Sequence, residues 1–184
     1  MITRRVKWAP VVAAISILGL SGAAWAQEGN FAAKDSSGEV SAAATSPVHY
    51  YPKQQVDASF EKAGGGDLLY NGDGGAQNFT FMTSSRSIPG GGELHMKSTD
   101  VIYVVKGSAT VITGGKLSDV TENAINPSTG KPFPKDEIRG RSVVGGEPHH
   151  LAVGDVIVIP NGVPHWFSEV EGQFRYHLVK IRQP

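Results

Sequence analysis

The stretch that most constrains this chain runs Gly154-Asp155-Val156-Ile157-Val158-Ile159-Pro160-Asn161-Gly162-Val163-Pro164-His165-Trp166-Phe167-Ser168-Glu169. Val156 to Ile159 is an apolar, β-branched run, the pattern of a buried strand. Pro160 has no backbone donor and ends it, and Asn161-Gly162 supplies the left-handed positions of a tight turn. Pro164 biases Val163 towards extended geometry, so a second strand begins at His165. A rigid hairpin therefore fixes this imidazole in place, as a metal ligand or catalytic base requires.

Upstream, Pro89-Gly90-Gly91-Gly92 reads as a turn into a strand that starts at Glu93. Side chains alternate along a strand, so Glu93 and His95 share a face and Leu94 takes the other. Two ligands need that geometry to converge on one ion.

Together the two stretches resemble the cupin family. The downstream one matches G-x5-P-x-G-x2-H-x3 at each fixed position but the last, where the family usually has Asn and this chain has Glu169. The upstream one keeps the spacing of the family's other motif, with Glu93 for its first His, His95 for its second, Asp100 for its Glu, and Gly107 for its Gly. The resemblance covers about residues 67–181. It implies an all-β fold, a single cupin-type jelly-roll β-barrel (double-stranded β-helix), with a site between its sheets.

Carried across position by position, the resemblance gives Glu93, His95, Asp100 and His165 as metal ligands. Two imidazoles and two carboxylates suit one divalent transition metal: Mn, Fe, Zn or Ni. Asp100 is a methylene shorter than the family's Glu, which leaves two sets open, with Asp100 or without it. A third reading is a metal-free pocket with a buried carboxyl pair. On a regular strand Glu169 shares a face with His165 and Phe167, and is the candidate catalytic base. His150, Phe167, Arg175 and His177 are the candidate substrate contacts.

Residues 1–26 read as a signal peptide: Arg4, Arg5 and Lys7, an apolar core from Pro10 to Leu20, and Ala24-Trp25-Ala26 as cleavage site. Residues 27–47, rich in Ala, Ser and Gly without hydrophobic periodicity, read as a disordered linker, and 48–184 as the barrel domain. The expected location is the periplasm or outside the cell. The whole chain has 17 basic and 17 acidic residues, and removing the leader leaves 14 against 17. A mildly acidic domain without a basic tract gives no encouragement to a nucleic-acid partner. With no cysteine, disulfides and thiolate metal sites are excluded.

Within the domain, one helical turn is expected over Asp57–Lys62, and strands over Asp67–Tyr70 and Asn78–Ile88, with Phe79 and Phe81 on the core face. Asp100–Val105 and Ala109–Thr113 are expected to form a hairpin about Gly107-Ser108. Residues 114–135, full of turn chemistry, are expected to be a long loop that covers the barrel mouth, reaches a second subunit or is simply mobile. In the last strand Phe174, Tyr176 and Leu178 share one face, and Arg175, His177 and Val179 the other. The edge at Asp67–Tyr70 suggests a homodimer. Two functions follow: a metal-dependent exported enzyme or binder for a small polar or acidic metabolite, or a metal-free ligand-binding or sensing module.

Overall fold

A computed structural model describes residues 47–127 and 129–183. The expected signal peptide and nearly all of the expected linker lie outside the described residues. Helix α1 (Lys53–Ser59) starts at Pro52, whose carbonyl accepts from the Gln55 and Val56 amides at 2.9 and 3.2 Å. The helix therefore lies four residues earlier than the expected Asp57–Lys62, because Pro52 is set up to begin a helix and has no amide to lose. The buried Ser59 hydroxyl lies 2.7 Å from that of Thr83 and ties α1 to the sheet.

Strand β1 (Gly66–Tyr70) pairs with β2 (Phe79–Arg86). Strand β3 (Gly92–His95) leads into β4 (Ser98–Thr113). Short strands β5 (Lys116–Ser118), β6 (Ile125–Asn126) and β7 (Lys131–Pro132) interrupt the expected loop. They are followed by β8 (Glu137–Gly140), β9 (Ser142–Val144), β10 (Glu147–Leu151), β11 (Val156–Ile159) and β12 (His165–Arg182).

The long strands β4 and β12 carry the architecture. The first half of β4 pairs with β11 and with Arg175–Arg182 of β12, which also pairs with β2. The second half of β4 pairs with β10 and with the start of β12, where His165 meets Glu93 of β3. Both long strands thus run through one eight-stranded antiparallel sheet, and its two halves enclose the jelly-roll barrel. Gly107-Ser108 is not a hairpin turn, since β4 continues through it. Gly107 bends the strand at φ 72°, and a Cβ there would stand 2.6 Å from the Gln173 carbonyl. Only glycine takes both that φ and that approach without strain.

Alternation along the paired strands builds the interior. Ile102, Val104, Ala109, Val111, Leu151, Ile159, Phe167, Phe174 and Tyr176 form one buried cluster. Fully burying each of the larger side chains contributes about 1.5–3 kcal/mol. Two expectations on facing are corrected. The β2–β12 register sets Met82, Ser84 and Arg86 inward, opposite Leu178, Tyr176 and Phe174. Phe79 and Phe81 therefore face outward, where Phe79 packs on Tyr70 and Phe81 on His177. Strand β11 is an edge with Val156 and Val158 more than half exposed, so it is buried on one face only.

Candidate metal centre

His95 and His165 reach the barrel interior from neighbouring strands of one sheet, and the turn between β11 and β12 locks them together. The Gly162 amide donates to the His95 carbonyl at 2.8 Å, and the Asn161 side-chain amide to the Met96 carbonyl at 3.3 Å. Gly162 takes φ 79°, the left-handed value that the turn chemistry calls for. Both imidazoles are buried, with ring centroids 5.0 Å apart.

Glu93, His95 and His165 each offer a donor atom, and the three donors lie within 4.8 Å of one another. His95 Nε2 is 3.5 Å from Glu93 Oε2 and 3.3 Å from Asp100 Oδ2, and His165 Nε2 is 3.9 Å from Asp100 Oδ2. Ligands bonded at ~2.1 Å to one ion stand roughly 3.0–3.5 Å apart, so small side-chain adjustments bring this set into range. His165 Nδ1 lies 3.2 Å from the Val163 carbonyl. A proton held there leaves the Nε2 lone pair facing the cluster. His95 has no such arrangement. The carboxylates around it stand at ion-pair distances, and both its buried ring nitrogens lack a hydrogen-bond partner.

A ring of charges surrounds the donors. Lys180 Nζ sits 2.9 Å from Asp100 Oδ1 and 3.9 Å from Glu137 Oε1. Arg139 pairs with Glu93 and, at 2.6 Å, with Glu137, while its guanidinium carbon lies 4.0 Å from the Phe133 ring centre. Burial alone would depress the His95 pKa, but the Asp100 and Glu93 carboxylates outweigh it and hold the imidazole at about 9. Burial works to raise Glu93 and Asp100, yet both are lowered, Glu93 by His95 and Arg139 and Asp100 by His95 and Lys180. Burial dominates at His165 and lowers it.

All four expected ligands line one cavity of about 440 Å³, with Asn126, Phe133 and Pro134 of the 114–135 segment at its wall. Phe167 lines it too. Glu169 does not: β12 slips register between Phe167 and Glu169, which turns Glu169 outward to accept from the Thr110 hydroxyl at 3.1 Å. His150 is exposed on β10. Arg175 and His177 lie on the outer face, because the apolar face of Phe174, Tyr176 and Leu178 turns inward. Arg175 pairs there with Glu61, and His177 packs among Phe60, Phe81 and Tyr103. Arg86, Glu137, Arg139 and Lys180 line the cavity and were missed by sequence reasoning. For Lys180 the signal was available, since it continues the alternation of Tyr176 and Leu178.

The cupin family profile matches residues 93–180. No curated protein sequence matches the chain. Similar solved structures include the polyketide cyclase RemF from Streptomyces resistomycificus, 19% identical over 65% of this chain and 66% of that one, TM-score 0.40. Protein NMB1881 from Neisseria meningitidis is 16% identical over 70% of this chain and 94% of that one, TM-score 0.43. Peruvianin-I, a cysteine peptidase from Thevetia peruviana latex, is 11% identical over 58% of this chain and 52% of its own, TM-score 0.36. This chain thus spans about half of Peruvianin-I.

Proposed function

The chain belongs to the cupin superfamily, and from that premise we propose an exported cupin that holds one divalent transition metal on Glu93, His95 and His165. Its barrel acts on, or binds, a small polar or acidic metabolite. One observation carries the reading: Glu93, His95 and His165 present donor atoms within 4.8 Å of one another, with both imidazoles buried. The donor set suits Mn, Fe, Zn or Ni.

The surrounding residues have their own tasks. Arg139 fixes the Glu93 carboxylate, the Val163 carbonyl fixes the His165 ring, and Lys180 holds Asp100 beside the cluster. A divalent ion held there by Glu93, His95 and His165 would supply Lewis acidity. Export rests on the leader read in residues 1–26, and a homodimer would form through the open edge of β1.

A second reading, a metal-free binding or sensing module, also has an observation behind it. The carboxylates of Glu93, Asp100 and Glu137 are balanced by Arg139, Lys180 and one proton on His95, so the cluster is formally neutral without metal. Elemental analysis of protein purified without chelator or His tag separates the two. Near-stoichiometric Mn, Fe, Ni or Zn in the wild type, lost in His165→Ala, is the outcome expected of the metal site. A folded wild type that stays metal-free after incubation with those ions contradicts it.

A further inference from the structure

The same cavity is lined by a cation, Arg86, that pairs with no carboxylate among the described residues. Arg86, the last residue of β2, faces inward with Ser84 and Met82 and lines the cavity. Its Nη2 donates to the Tyr176 hydroxyl at 3.0 Å, a neutral partner. Its guanidinium carbon stands 4.3 Å from the Phe167 ring centre and 5.8 Å from that of Tyr176. Its Nε is buried with no hydrogen-bond partner. Among the described residues no carboxylate pairs with it. Arg139, also half-buried, has two, and Arg175 has one.

The position is built for a guanidinium. Two aromatic rings flank it, Phe167 more closely than Tyr176, an arrangement favourable to arginine. The turn after β2 closes over it at Gly90, where a Cβ would stand 2.8 Å from Arg86 Nη1. The Trp166 indole N–H donates to the Gly90 carbonyl at 2.8 Å, and the Gly90 amide to the Phe167 carbonyl at 3.2 Å, so the turn is pinned where the guanidinium needs room. Arg86 is half-buried, and a carboxylate offers a guanidinium without an anion charge-assisted, often paired, hydrogen bonds.

We propose that Arg86 is the anchor for the carboxylate of a small organic acid, which lies along the cavity towards the Glu93–His95–His165 cluster. The inference deepens the function proposed above and rests on it for the ligand's second anchor. It narrows the ligand to a carboxylate with an apolar body, since Met82, Ile102, Leu178 and Tyr176 line the same cavity. Neutral sugars and cationic amines are the classes it disfavours.

The test uses the mature protein and a set of carboxylates (acetate, pyruvate, succinate, benzoate), each beside its uncharged amide, with binding read by calorimetry and metal content measured in the same samples. At least one acid is expected to bind ten times or more tightly than its amide. Arg86→Gln is expected to weaken that acid at least tenfold and leave metal content unchanged, with Arg86→Lys between. The acid-to-amide ratio is read on the wild type, so it stands even if Arg86→Gln does not fold. No binding by any acid, equal binding of acid and amide, or full affinity in a folded Arg86→Gln overturns the proposal. A metal-free wild type that still prefers the acid through Arg86 supports the anchor and sinks the metal reading. A metal-loaded protein indifferent to the acids does the reverse.

Discussion

His95, buried, and His177, half-buried, both sit on antiparallel strands, yet they meet opposite surroundings. Around His95 stand Glu93, Asp100 and Glu137 at 3.3–3.6 Å. Around His177 stand the rings of Phe60, Phe81 and Tyr103, with centroids 5.3–6.4 Å away, and its buried Nδ1 has no partner. The carboxylates raise the first imidazole to about 9, and burial lowers the second. The lesson is that burial alone does not make a histidine a ligand. What distinguishes His95 is the negative charge gathered around it, which favours a proton or a metal cation alike.

Removing that charge should have the largest effect. Asp100→Asn removes the nearest anion of both His95 and Lys180 and leaves them Glu93 and the more distant Glu137. Unfolding of metal-stripped protein in urea should show a loss of about 3 kcal/mol, as expected when one member of a buried pair is deleted. It should also make the His95 pKa fall towards the behaviour of His177, readable by NMR titration of the ring.

The two histidines should pull stability in opposite directions with pH. The folded pKa of His95 is raised, so in metal-stripped protein its contribution is complete below about 6.5 and fades as pH rises through about 9. Its full size is on the order of 3 kcal/mol, at 1.36 kcal/mol per unit. The folded pKa of His177 is lowered, so its contribution is present above 6.5 and is lost as pH falls through the folded value. Urea midpoints against pH should show the alkaline decline vanish in His95→Gln and the acid decline shrink in His177→Gln. Metal binding at neutral pH should also release close to one proton, carried by His95 in the metal-free state.

His177→Leu is expected to change stability by less than about 1 kcal/mol, because the apolar replacement removes an unpaired nitrogen from a ring-lined pocket. Metal content should be unaffected. The smallest effect belongs to Glu169→Gln: an exposed residue with one hydrogen bond should move stability by no more than about 0.5 kcal/mol and metal content not at all. Loss of metal in either variant would erase the contrast between inner and outer faces.

Why Glu169, Arg175 and His177 were misplaced is a matter of register. The barrel class came from the resemblance of two spaced motifs to the cupin family, while the face shared by Glu93 and His95 follows from alternation, which is local. A bulge is not. The slip after Phe167 reverses the side on which Glu169 emerges, and nothing in Phe167-Ser168-Glu169 announces it. The hairpin expected at Gly107 failed for a similar reason, since a glycine can bend a long strand as readily as end it. Which face of the last strand turns inward is a tertiary choice, made when Tyr176 and Leu178 join the core. Once it is made, Lys180 comes inward with them and Arg175 goes out. Arg86 gave no sign in the sequence because its distinction is a missing partner.

The most direct test is diffraction from crystals of the mature protein, grown without chelator, with data collected at the absorption edges of Mn, Fe, Ni and Zn. The expected result is one anomalous peak among Glu93, His95 and His165, about 2.0–2.2 Å from both Nε2 atoms. A map without that peak, with His95 still held between Glu93 and Asp100 after the crystals are soaked in those ions, would contradict the metal centre.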